Sequence, residues 1–166
     1  MHYVSWNCRG LDRNLKEALK NIVRLYSLEI ILIQETKMED LALLQASKAF
    51  WIKGQGKAVS ARGASGGIAT FWDNSIYDLE AEYSSTHWLF TKILHKDSGH
   101  HVSLFNVYVP ISPAKKRICW DSLKSYLSMH NPVNIIIAGD LNVTLAAEEK
   151  REAHRSEIKL ENGLKT

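Results

Sequence analysis

Glu29-Ile30-Ile31-Leu32-Ile33-Gln34-Glu35 is the stretch whose reading decides the fold. Four consecutive branched aliphatic side chains followed by two polar ones match a central strand, buried on both faces, whose tip emerges into a site. Upstream, Leu15, Ala18, Leu19, Ile22, Val23 and Tyr26 follow helical spacing with Asp12 or Asn14 as N-cap, and residues 2–8 read as a strand. Downstream, residues 40–50 suit a second helix with Leu41, Leu44 and Ala49 on one side. Residues 54–67 hold five of the nine glycines together with Lys57 and Arg62, and read as a basic loop with neither helix nor strand.

Residues 68–72, 76–83, 87–95 and 101–109 then read as four strands, the last two joined by an Asp97-Ser98-Gly99 hairpin turn. Pro110 and Pro113 stop the fourth. Helical periodicity resumes over 114–130 through Ile118, Leu123, Tyr126 and Leu127, and residues 133–138 form another apolar run, read as a buried strand, before Gly139-Asp140-Leu141-Asn142. This alternation predicts an α/β fold, a two-sheet β-sandwich flanked by helices. From Glu148 onward the composition turns charged, so the chain divides into one domain over 1–151 and a charged tail over 152–166.

The composition agrees with one globular domain: 166 residues, 45 % hydrophobic and 23 % charged, which excludes disordered, collagenous and low-complexity classes. No apolar run approaches the roughly 20 residues of a membrane-spanning helix, and the first residues do not pair a basic segment with an apolar one. Cys8 and Cys119 are too far apart in sequence to suggest a disulfide framework or a zinc pattern. A reduced intracellular protein without a membrane partner is expected. The net charge of +3 permits a polyanionic partner without requiring one.

Polar residues end four of the expected strands: Asn7, Glu35, Tyr108 with Asn106 just before it, and Asp140 with Asn142. One such residue alone is ordinarily a turn former or cap. Four at the same end of successive strands point to a site, because ligands of open sheets bind at that edge. Glu35 and Asp140, with the carboxamides of Asn7 and Asn142, make a hard oxygen-donor set that suits Mg²⁺, with Mn²⁺ as the alternative. Zinc is disfavoured for want of suitably spaced His and Cys.

Five motifs, Ser5-Trp6-Asn7-Cys8-Arg9-Gly10-Leu11, Gln34-Glu35-Thr36-Lys37, Ser65-Gly66-Gly67-Ile68-Ala69, Asn106-Val107-Tyr108-Val109-Pro110 and Gly139-Asp140-Leu141-Asn142, occur in that order. In order and spacing they resemble the endonuclease/exonuclease/phosphatase superfamily. The nearest resemblance is to the endonuclease domain of plant LINE-type (non-LTR) retrotransposons, related to apurinic/apyrimidinic endonucleases and pancreatic deoxyribonuclease. The resemblance runs from Val4 to about Arg151. It implies a deoxyribonuclease-like four-layer α/β/β/α fold and a Mg²⁺-dependent endonuclease acting on DNA, hence in the nucleus. It places Asn7 and Glu35 at the metal, Tyr108 against the scissile phosphate, Asp140 as base or orienter of the attacking water, and Asn142 on the phosphate and leaving group.

Three departures accompany it. Arg9 stands where base-excision relatives carry an acidic residue, and Ile111 where many relatives have Asn. The terminal Ser-Asp-His triplet of such proteins is absent, and the one His after Asp140 is His154, in a charged segment. The fold is therefore expected to be incomplete at its C-terminus. The alternative to the enzyme is a non-catalytic remnant that at most binds nucleic acid weakly; a phosphatase of the same superfamily is a third reading.

Elsewhere the bland readings prevail. The five tryptophans are expected in the core, Cys8 as a core filler, His100 and His101 in a hairpin, and Lys115-Lys116-Arg117 as a solvated helix face rather than a phosphate contact. No protein partner is evident.

Overall fold

The computed structural model describes residues 1–62 and 65–143. The expected tail, its boundary at residue 151 and His154 lie outside the described residues. In chain order the elements are β1 (Tyr3–Asn7), α1 (Arg13–Tyr26), β2 (Ile30–Gln34), α2 (Asp40–Ser47), β3 (Gly54–Arg62), β4 (Ser65–Asp73), β5 (Tyr77–Ser84), β6 (Trp88–His95), β7 (His101–Tyr108), α3 (Pro113–His130) and β8 (Ile135–Asp140).

Helix α1 starts where the Asp12 carboxylate accepts the Leu15 N–H at 2.7 Å, and ends at Ser27, whose left-handed backbone lets its N–H return to the Val23 carbonyl. The strands form two four-stranded sheets, ordered β1-β2-β4-β3 and β5-β6-β7-β8. In each sheet one pair is parallel, β1 with β2 and β7 with β8, and the other pairs are antiparallel.

Side-chain alternation along β2 builds the layers. Ile31 and Ile33 pack with Leu19 of α1 and Leu43 of α2, whereas Ile30 and Leu32 pack with Trp72, Tyr77, Ile93 and Leu104 between the sheets. Helix α3 covers the outer face of the second sheet, where Cys119 and Leu123 meet Trp88, Phe105 and Val107. The expected α/β sandwich with helices outside is thus the observed one. Trp51, Trp72 and Trp88 are buried, and Trp6 and Trp120 are partly buried against the same core.

Between the sheets lies a polar contact. The Asn106 amide on β7 donates to the carbonyls of Ala69 (2.8 Å) and Ile33 (3.2 Å), and its oxygen accepts the Gln34 amide at 2.6 Å. Both residues are fully buried.

Four expectations are corrected. The glycine-rich stretch is strand over its described residues: β3 and β4 pair along it in antiparallel register. Gly56 lies flat against the Phe71 ring, where a Cβ would collide, so this glycine permits close packing of an edge strand rather than breaking it. Helix α2 ends earlier and buries Leu43 and Ser47 instead of Leu41 and Ala49; Leu41 is 73 % exposed. Strand β8 is not buried throughout. Among the described strands it lies at the edge of its sheet with Ile135 43 % and Ile137 42 % exposed, and in α3 Ile118 turns to solvent while Cys119 points inward.

Two substitutions test this architecture. Gly139 has φ +141°, and a Cβ there would run into the Val107 carbonyl of the paired strand. Gly139→Ala is expected to lower unfolding stability by at least about 2 kcal/mol, read as a lower urea midpoint. Asn106→Leu leaves the Gln34 amide and two buried carbonyls without their partner, and is expected to cost roughly 2–4 kcal/mol in the same assay. A midpoint equal to wild type would remove the inter-sheet role assigned to Asn106.

Candidate active site

Alternation also selects which polar side chains reach the space between the sheets. Along β1, Val4 and Trp6 belong to the helix-covered core, leaving Ser5 and Asn7 on the opposite face; Gln34 confirms this by donating to the Ser5 hydroxyl at 3.2 Å. Along β7, Leu104 and Asn106 face inward, and Tyr108 follows two residues on. Along β8, Ile136 and Ala138 face inward, and Asp140 follows likewise. Tyr108 and Asp140 are direct neighbours in the parallel register of β7 and β8, as Asn7 and Gln34 are in that of β1 and β2.

Glu35 breaks the rule. Extended, it would share the face of Ile31 and Ile33 beneath the helices. Its φ of +56° ends β2 and turns the side chain across the strand tips. Arg9, Lys37 and Asn142 also have positive φ, at 50°, 54° and 47°. Such backbone costs about 1–2 kcal/mol for a residue with a Cβ, and its gathering at one place is typical of functional sites. Gly67 accommodates the turn: its carbonyl accepts the Thr36 N–H, and a Cβ on it would strike the Thr36 hydroxyl.

The result is a half-buried cluster drawn from both sheets. Asn7 Nδ2 donates to Glu35 Oε1 at 3.0 Å and to Asp140 Oδ2 at 2.7 Å, so one amide joins two carboxylates that lie 105 residues apart in sequence. Asn7 Oδ1 accepts the Arg9 N–H at 3.2 Å. The Tyr108 hydroxyl donates to Glu35; burial first, then this hydrogen bond and the charges of Glu35 and Asp140, pushes its pKa up to about 12. Among the described residues, neither carboxylate has a Lys or Arg ion-pair partner. Two negative charges are held together by neutral donors alone.

Asn142 takes a supporting position. Its backbone N–H donates to Asp140 Oδ1 at 3.0 Å, and its Nδ2 to the Val109 carbonyl at 2.6 Å. The Cys8 thiol donates to the Glu35 carbonyl at 3.4 Å and is raised in pKa by burial, so it packs as a thiol and is not an activated nucleophile. His101 pairs with Glu80 at 2.8 Å on the β5–β7 side of the hairpin, away from His100, which is exposed.

The five residues singled out from the sequence therefore lie together. Three features were not read there: the left-handed turn at Glu35, the Gln34–Asn106 contact beneath the cluster, and Lys116. Lys116 Nζ donates to the Asn142 carbonyl at 2.6 Å and lines a cleft beside Asp140, instead of lying on a solvated face. A lysine one turn after Pro113 carries no signal of that contact, which depends on how α3 docks. Lys57, expected in a basic loop, is ion-paired with Glu82 at 2.7 Å on β3.

Among solved structures, the catalytic domain of Xenopus laevis APE2 matches with a TM-score of 0.67 at 22 % identity, covering 87 % of this chain and 59 % of that one. AP endonuclease LMAP from Leishmania major matches at 0.65 and 21 %, over 85 % and 55 %. The 3′ phosphatase NExo from Neisseria, solved with a product DNA hairpin, matches at 0.67 and 17 %, over 87 % and 59 %. At these identities the likeness is one of fold, and the chain spans less than two-thirds of each structure's length. No curated protein matches it by sequence. The model of the Endonuclease/Exonuclease/phosphatase family matches residues 4–156, which takes in both sheets and every residue of the cluster. The chain belongs to the endonuclease/exonuclease/phosphatase family.

Proposed function

We propose that this chain hydrolyses phosphodiester bonds in DNA as a divalent-cation-dependent endonuclease, and that it derives from a LINE-type retroelement. The observation that carries the first part is the convergence of Asn7, Glu35, Tyr108 and Asp140 from the ends of both sheets. The wording of the Ser5-Trp6-Asn7-Cys8-Arg9-Gly10 and Ser65-Gly66-Gly67-Ile68-Ala69 motifs supports the second. A DNA substrate suits the nucleus.

The donor set fits a hard dication. Two carboxylates without cationic partners among the described residues converge on oxygen-rich neighbours, and removing such charge from water unpaired is costly. Glu35 would hold the ion, together with Asn7 once its carboxamide turns Oδ1 away from the Arg9 N–H. Mg²⁺ or Mn²⁺ bound there would neutralise charge developing on the phosphate oxygens.

The chain's own groups supply the rest. Each Asp140 oxygen accepts one hydrogen bond, from Asn7 and from the Asn142 N–H, which fixes the carboxylate and leaves lone pairs to orient or deprotonate a water. Tyr108, kept protonated by its raised pKa, would turn its one O–H from Glu35 to a nonbridging oxygen once an ion holds that carboxylate. Asn142 retains one amide N–H beyond its bond to Val109 for the phosphate or the leaving oxygen.

With supercoiled plasmid and Mg²⁺, the protein is expected to produce open circles, and chelation to abolish them. Glu35→Ala is expected to lower the nicking rate on the order of 10²-fold or more; nicking unchanged by this substitution would overturn the assigned site. Duplex binding that weakens with salt, without any nick, would establish the binding-only remnant instead. Phosphate release from a phosphoinositide headgroup, again without a nick, would place the chain with the phosphatases.

Tyr108 gives a pH prediction. An unfolded tyrosine ionises near pH 10, and in the folded protein this one holds its proton until about 12. The folded state thus binds the extra proton between those values, so this stability is whole below about pH 10 and lost as pH rises toward 12. Tyr77, raised by burial and by its bond to Glu29, contributes in the same direction. Tyr108→Phe is expected to reduce the alkaline fall of the urea midpoint without abolishing it. An identical alkaline slope in the variant would show that the hydroxyl is not held as described.

A further inference from the structure

Lys116 stands in the first turn of α3, half-buried, while Lys115 and Arg117 beside it are exposed. Its ammonium donates to the Asn142 carbonyl at 2.6 Å, and an ammonium has three donors, so two remain. Lys57, Lys92 and Lys96 are each ion-paired with a carboxylate; Lys116 has no such partner among the described residues. It lines a cleft of about 710 Å³ whose wall also includes Ile111, Asp140 and Asn142, and among the described residues it is the one Lys or Arg on that wall. Asp140 thus takes the neutral amide of Asn7 and shares a cleft wall with a cation that has no carboxylate partner among the described residues.

We propose that Lys116 forms a second phosphate subsite, which binds a backbone phosphate of the same DNA strand next to the scissile one. The inference rests on the phosphodiesterase reading above. A phosphate is the fitting ligand because it brings negative charge to an ammonium that only a carbonyl now satisfies, and because its oxygens accept from both remaining N–H groups. Lys116 also holds the Asp140-Leu141-Asn142 turn through that carbonyl, so occupancy of the subsite is joined to the turn that carries Asp140. Ile111 on the same wall offers no polar group, and Lys116 is the cation there among the described residues.

The test is the salt dependence of binding to a 20-base-pair duplex, read by fluorescence anisotropy in EDTA so that no turnover occurs. Lys116→Met is expected to reduce the slope of log K against log salt by about one, Lys116→Arg to retain it, and Lys115→Met to leave it unchanged. In nicking assays Lys116→Met is expected to raise KM several-fold with kcat largely kept, as for binding shared by ground and transition states. A wild-type slope in Lys116→Met, or an equal loss in Lys115→Met, overturns the subsite. A wild-type protein that binds DNA but never nicks defeats the enzyme reading while leaving the slope comparison decisive; one that binds no DNA defeats both. Should Lys116→Met fail to fold, the Lys116 ε-methylene resonance of the wild-type protein is expected to shift saturably with inorganic phosphate, and an unmoved resonance overturns the proposal.

Discussion

The carboxamides of Asn106 and Gln34 meet at 2.6 Å, beside the Ser5 and Thr70 hydroxyls, in a layer largely filled by aliphatic and aromatic side chains, and the position of the whole site depends on that contact. Hydrophobic packing between two sheets is non-directional and tolerates sliding. Buried amides do not, because a displaced donor or acceptor in that layer has no water to replace its partner. Asn106 reaches backbone carbonyls on both β2 and β4, so it ties one strand of the second sheet to two of the first. Two residues on from it is Tyr108, and one on from Gln34 is Glu35. The strand ends that carry the site are aligned by groups one step beneath it.

Above that contact the chain assembles a cluster that is electrostatically unfinished. Glu35 and Asp140 are held by an asparagine amide, a tyrosine hydroxyl and a backbone N–H, all neutral. Glu35 also occupies left-handed backbone, as do Arg9 and Lys37 nearby. A structure selected for stability alone would place a lysine or arginine between the two carboxylates. Local strain and uncompensated charge at one place are the marks of a group arranged for a ligand.

The layers and the site differ in how far they can be read from residues alone. The run Ile30-Ile31-Leu32-Ile33 marks a strand covered on both faces, and both coverings exist: the helices on one side and the second sheet on the other. Helix α1 and the strands β5 to β7 follow their periodicity closely. Residues 54–67 mislead because glycine signals a turn and a close approach equally, and only the Phe71 ring against Gly56 shows which applies. The faces of α2 and α3 mislead for a related reason. Over short apolar patterns a rotation of one or two positions changes which side chain is inward, and the docking partner decides it, as with Leu43 in place of Leu41 and Cys119 in place of Ile118.

Residue types and their alternation along the chain were enough to determine a layered α/β sandwich, its central strand and the set of polar residues at the strand tips. Those properties are local, since burial on two faces and a polar end are written into consecutive side chains. Tertiary structure alone decided that Asn7, Glu35, Tyr108 and Asp140 meet, that Glu35 turns out of its strand to join them, and that Lys116 points into the cleft. The meeting of the two sheets' residues and the place of Lys116 depend on the stacking of one sheet on the other and of α3 on the second, and the turn of Glu35 on Gly67 of β4, contacts between residues 26 to 133 positions apart that no local pattern encodes.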